Sequence, residues 1–245
     1  MEKTRRLGGL DSLRGLAMVS MIVYHGLWDL IYLFSWELPW FEGTIGTLWQ
    51  GITGWLFIFL SGFCWQLGRH PGKRGLTVLG AGCLLTLVTL AVMPELPVYF
   101  GILTLLGSCM LLMIPLHGLL RDWDPRWGLA VNLAVFLMGL GATAVYFANP
   151  AIWIRGVPQG WAVRWGLAYL GFPQPGFMSG DYYPLFPWVF LFTAGYFAQP
   201  LWGRRALLSR RAVPVLGWLG RHSLLVYLLH QPILYGVLGL AAWLM

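Results

Sequence analysis

Four ionisable residues stand inside one apolar run, LDSLRGLAMVSMIVYHGLWDLIYLF, from Leu10 to Phe34: Asp11, Arg14, His25 and Asp29. With Met18 and Ile22 they follow the three-and-four spacing of a single helix face. Ionisable groups within a membrane span are costly, and they face a protein interior or a water-filled cavity. The chemistry that this stripe offers is proton transfer. A carboxylate one turn from an imidazole fixes its tautomer and raises its basicity, so His25 beside Asp29 reads as a general base. The bland alternative is a histidine satisfied in a helix interior. Arg14, near the inner end, presents a guanidinium fork matched to phosphate. Its bland alternative is an i,i+3 ion pair with Asp11.

A second group of such residues sits near the other end of the chain, in LGRHSLLVYLLHQPIL from Leu219 to Leu234. Ser223, Tyr227 and His230 share one helix face. If this helix and the first both start near the inner surface, His230 and His25 lie at comparable depth. Plain interhelical hydrogen bonding is the alternative for Tyr227 and His230. Gln231 is expected to satisfy backbone groups freed by Pro232. A third stretch, WLFIFLSGFCWQLGRH, carries the small pair Ser61-Gly62, which admits close packing or a ligand. Arg69, His70, Lys73 and Arg74 follow it. Alone they read as a topology signal; beside Arg14 they make a cytoplasmic anion site. Cys64, Cys83 and Cys109 lie in apolar runs and read as small core residues. No Cys/His cluster points to a metal.

The elements that must hold these groups are membrane helices. Of 245 residues, 58% are hydrophobic and 10% charged, with a mean hydropathy of +0.68, whereas a soluble domain carries about 25% charged residues. The chain therefore reads as one all-α, polytopic integral membrane domain over residues 1–245, with the lipid bilayer as its first partner. A span needs about 20 apolar residues. Seven stretches qualify: Leu10–Phe34, Leu48–Leu67, Leu76–Met93, Val98–Leu120, Trp127–Phe147, Tyr183–Leu201 and Val213–Leu244. The long linker Asn149–Asp181 is rich in Trp, Gly and Pro, and Trp161–Leu170 within it suits an interfacial or re-entrant helix. Basic residues fix the orientation. Lys3, Arg5, Arg6, Arg69, Lys73, Arg74, Arg121, Arg126, Arg204, Arg205, Arg210 and Arg211 fall on one side. Only Arg155 and Arg164 fall on the other, with Glu37, Glu42, Glu95 and Asp181. The expectation is a cytoplasmic N-terminus, a C-terminus outside, and a first helix retained rather than cleaved. The formal charge of +7 is thus a matter of topology and not of nucleic-acid binding. The compact loops suit a bacterial inner membrane.

The segments LDSLRGLAMVSMIVYH, LFIFLSGF and LGRHSLLVYLLHQPIL, in that order, resemble the signature segments of the transmembrane acyltransferase superfamily. The likeness is closest to bacterial relatives of the heparan-α-glucosaminide N-acetyltransferase catalytic domain, through the LDxxRG start, YHxxWDL and the FPW at Phe186–Trp188. The resemblance implies transfer of an acyl group, acetyl in that family, from cytosolic acyl-CoA to a glycan or other small acceptor on the far side. His25 matches the first-helix histidine and Arg14 the arginine of the RG pair. On that footing CoA phosphates would rest among Arg14, Arg69, Lys73 and Arg74, with the pantetheine arm passing Ser61. His25, oriented by Asp29, would act as general base or acyl carrier. Tyr227 or His230 would donate to the oxyanion, and Trp161, Arg164 and Asp181 would line the acceptor's way in. Acyl-CoA is the one co-substrate implied, no metal is expected, and a second copy of the chain is a candidate partner. The rival reading is a proton-coupled exporter with His25, Asp29 and His230 as its relay.

Overall fold

The computed structural model describes residues 7–148, 160–203 and 211–244. Lys3, Arg5, Arg6, Arg155, Arg204, Arg205 and Arg210, which carry part of the expected charge bias, lie outside the described residues, as does the start of the long linker. The described chain is helical: α1 (Gly8–Tyr32), α2 (Pro39–Glu42), α3 (Thr44–Trp65), α4 (Pro71–Val92), α5 (Ile102–Leu120), α6 (Pro125–Ala148), α7 (Trp161–Leu170), α8 (Leu185–Trp202), α9 (Pro214–Arg221) and α10 (Ser223–Leu244). The helix expected in the linker is α7, with the anticipated bounds.

By length and composition, α1, α3, α4, α5, α6 and α10 can each cross a membrane, and the protein is an integral membrane protein. Among the described residues that count by length and composition is six, against seven expected. The difference lies at 183–201. There the backbone of Phe186 is non-helical, and the run from Pro187 to Trp202 covers only about 24 Å at the rise of an α-helix. Leu191 to Ala198 are all buried. Burial by protein does not keep a helix from crossing, and α1 and α10, which run in the same direction, need an odd number of crossings between them, which α8 supplies. The last expected span is two helices: α9 is the lead-in, and the chain turns at His222 before α10.

The chain forms two compact units, residues 1–57 with 202–245, and residues 58–201. In the first, α1 packs on α9 and α10. A Cβ at Gly15 would overlap the Leu216 carbonyl, and one at Gly220 would overlap the Asp11 carbonyl. Glycine at both points lets the two backbones touch. Ser12 Oγ accepts a hydrogen bond from Val213 N at 2.9 Å where α9 begins. Towards the other end of α1, Tyr24 and Ile31 form a buried cluster with Phe41 of α2, so the short helix folds back on the longer one.

In the second unit, Gly75 meets Leu111, Gly82 meets Thr104 and Gly107 meets Leu79, so α4 and α5 run antiparallel at close range. The second half of α3 packs on α8 at equally close range, Gly62 against the Phe192 carbonyl and Gly195 against that of Phe59. The loop after α7 is tied to the start of α5: Gly180 N donates to Pro97 O and Tyr183 N to Phe100 O. Tyr182 donates to Ala168 O. Burial pushes its phenol up from the ordinary tyrosine value, which keeps it protonated and a donor.

Candidate active site

Arg14, His25 and Asp29 on α1 face α10. Arg14 Nη2 donates to Ser223 Oγ at 2.7 Å, the rings of His25 and His230 have centroids 5.0 Å apart, and Gln231 Nε2 donates to Asp29 Oδ1 at 2.8 Å. Residue numbers rise together along both helices, so α1 and α10 run in the same direction. That parallel course brings the two histidines to one level, as expected from their distances along the helices. Arg14 bonds to Ser223 and not to Asp11, which disposes of the local ion pair.

Asp29 is fully buried, and His230 is 9% exposed. The ring of His25 is partly buried and is also met edge-on by Tyr24. Tyr227 lies one turn before His230, its ring 5.4 Å from the imidazole. His230 Nδ1 bonds to the Tyr227 backbone carbonyl. A carbonyl only accepts, so Nδ1 carries the proton and Nε2 of the neutral ring is a bare lone pair.

Three expectations change on this geometry. Asp29 was to orient His25, but its bonded oxygen is taken by Gln231 and its other oxygen, Oδ2, has no hydrogen-bond partner. His230 was a candidate oxyanion donor, yet its free nitrogen is an acceptor in the neutral form. Gln231 was to serve the backbone near Pro232, and its amide instead reaches across to α1. Sequence reasoning thus missed Gln231 as a site residue. Its signal was a carboxamide beside the histidine at span depth, obscured by the neighbouring proline.

The remaining expected site residues belong to the second unit. The Ser61-Gly62 patch serves packing, since Gly62 meets α8; Ser61 itself is partly buried. Arg69 and Lys73 are exposed around the α3–α4 turn, while Arg74 Nη1 lies 3.5 Å from the Trp65 carbonyl that closes α3. Trp161 is 76% exposed, and Arg164 is exposed on the same helix. Asp181 is engaged: its Oδ2 accepts from the backbone N–H of Ile102 at 3.0 Å. Gly101 stands at the N-cap of α5 and has no side chain to offer. A carboxylate from a distant loop therefore does the capping.

A buried carboxylate, two imidazoles and an arginine on one pair of membrane helices are a constellation for proton transfer next to an anionic substrate. The family described as heparan-alpha-glucosaminide N-acetyltransferase, catalytic, matches residues 6–232. The chain belongs to this family. Membership makes it a membrane acetyltransferase. The match runs through α1, α8 and the site-bearing part of α10, so it takes in every residue of the constellation. No curated protein and no solved structure matches the chain. Among the described residues, no group of three or more His, Cys, Asp or Glu side chains could hold a metal ion.

Proposed function

We propose that this acetyltransferase moves an acetyl group from cytosolic acetyl-CoA to an extracytoplasmic amino sugar or other glycan, in a bacterial inner membrane. The observation that carries the reading is the pair of imidazoles at 5.0 Å, in a partly buried place between α1 and α10, with His25 on the same helix as Arg14. His25 takes a proton from the acceptor's N–H or O–H. The freed lone pair forms the C–N or C–O bond to the thioester carbonyl carbon, and the C–S bond breaks. The departing thiolate takes the proton from the imidazolium and leaves as CoA thiol. General-base action of this kind contributes about 10²–10⁴ in rate. The Tyr227 phenol is the proposed oxyanion donor.

Arg14 is the proposed contact for the CoA diphosphate. It lies eleven residues before His25, about 16 Å along the helix axis. Arg69, Lys73 and Arg74 are proposed, on charge alone, as phosphate contacts in their own right. Trp161 and Arg164 are proposed to meet the acceptor.

The test is acetyl transfer from acetyl-CoA to glucosamine in membranes carrying His25→Ala. Transfer is expected to be lost while thermal stabilisation by acetyl-CoA is retained; a ligand at about 100 times its Kd adds about 2.7 kcal/mol to stability. Full transfer by His25→Ala would remove the histidine from the mechanism. Failure of acetyl-CoA to stabilise the unmodified protein would remove the donor.

A further inference from the structure

A groove of about 530 Å³ runs between α1 and the first half of α3, within the first compact unit. On one side it is walled by Leu16, Ala17 and Ser20, a single turn of α1. On the other stand Ile45, Trp49, Ile52 and Leu56 of α3, whose three-and-four spacing makes one straight face. Ala17 and Thr53 form its floor, both buried, while Leu16, Ile45 and Ile52 at the rim are each more than half exposed. The polar groups in the groove satisfy one another. Ser20 Oγ and Thr53 Oγ1 share a hydrogen bond at 2.8 Å, and Trp49 Nε1 donates to Ser20 Oγ at 2.8 Å. No charged side chain lines the groove. It therefore offers a polar ligand nothing to bind, and it offers hydrocarbon a long apolar wall.

We propose that this groove is a binding site for one acyl chain of a membrane phospholipid, laid along α3 with its headgroup beside α2. Both walls belong to helices able to cross the membrane, and the exposed rim continues their lipid-facing surface. The groove is thus an inlet of the interface with the bilayer. Its length fits the occupant. From Ile45 to Leu56 the helix rises about 16 Å, against about 15 Å for one leaflet of a bilayer core about 30 Å thick. Its open end fits as well. Gly46 lies against the Phe41 carbonyl of α2, and Trp36 and Trp40 are exposed at that end, as side chains at headgroup level are. Between membrane surfaces, association is driven by van der Waals packing. An unfilled groove forfeits those contacts along both walls, and a chain lying in it makes them. The site goes beyond the acyl-transfer reading and does not depend on it.

The probe is a phosphatidylcholine with a diazirine on one acyl chain. The full-length protein is reconstituted in phosphatidylcholine bilayers with rising mole fractions of the probe, irradiated, and its labelled residues are located by peptide mass analysis. A bound chain saturates, whereas lipid that merely surrounds the protein labels in proportion to its mole fraction. Label on the Ile45–Leu56 segment is expected to saturate at low mole fraction. Label on Leu84, Leu87 and Val92, exposed on α4, is expected to rise in proportion. Leu16→Trp and Ile52→Trp add bulk at the exposed rim, where the fold tolerates it. Each is expected to lose the saturating component on α3 and to leave the α4 labelling unchanged, which checks that the variant is folded. Proportional labelling of both segments would reduce the groove to ordinary lipid contact and overturn the proposal. A saturating component that survives in both variants would overturn it too. So would an α3 segment shielded from label in a protein that runs as a dimer, which would give the groove to a second copy of the chain.

Discussion

The protein holds two partly buried histidine sites, one in each compact unit, and it treats them in opposite ways. In the second unit, His117 Nδ1 bonds the Tyr196 hydroxyl at 2.7 Å. Gln66 Nε2 donates to the Tyr196 backbone carbonyl and Trp65 Nε1 to that of Met110, both at 3.0 Å. Each of these groups has found a protein partner. In the first unit, His25 and His230 meet ring to ring, and three buried polar atoms there, Asp29 Oδ2, His230 Nε2 and Gln231 Oε1, are left open. The one second-unit departure among the described residues is the amide of Gln174. Polar groups that fasten helices are paired within the protein. Open polar atoms at span depth are held for something else, because leaving them empty costs about 1–3 kcal/mol each.

The largest effect that would sharpen this contrast is on activity. His25→Ala is expected to lower acetyl transfer by about 10²–10⁴, whereas His117→Ala leaves transfer within a few-fold and shows up in melting temperature. Equal losses of transfer from both variants would erase the distinction between the sites. Next comes the packing that presents the open site. Gly15→Val would drive side-chain carbons into the Leu216 carbonyl, with α1 and α9 forced apart at an expected cost of about 3 kcal/mol. Gly141 faces open space, so Gly141→Val should leave the melting temperature nearly unchanged. A tolerated Gly15→Val would mean that the α1–α9 contact is not what fixes Arg14 against Ser223.

What was legible in the sequence divides along similar lines. The helices and the face shared by Arg14, His25 and Asp29 followed from periodicity and composition. Depth could be counted along each helix, which put His25 level with His230. Pairing across helices could not be counted. Asp29 is as close in sequence to His25 as a general-base dyad requires, yet its bond goes to Gln231, 202 residues away. Asp181 shows the same limit: an acidic residue in a long outer loop reads as a surface charge, and only the fold brings it to the first turn of α5. The burial of α8 was illegible for another reason, since surroundings of lipid and of protein select the same apolar residues.

A smaller effect should come from the paired site. Tyr196→Phe removes a hydroxyl from a residue that is 3% exposed and leaves His117 Nδ1 without its partner. The expected loss is about 1–3 kcal/mol of stability, read as a lower melting temperature with transfer unaffected. A drop in transfer at unchanged stability would place Tyr196 among the functional groups and blur the contrast.

The smallest effect concerns a residue claimed by both kinds of role. Asp181→Ala removes the acceptor for the Ile102 N–H and a negative charge from the N-terminus of α5, where it is favoured by the helix dipole. A lost cap costs about 1 kcal/mol. If capping is its work, the melting temperature falls slightly while the glucosamine KM stays where it was. If Asp181 also meets the acyl acceptor, the KM rises too, and Asp181→Asn separates the cases. The asparagine keeps an oxygen for the Ile102 N–H, so it should restore stability whichever role holds. It would restore KM only if charge is not what the acceptor reads.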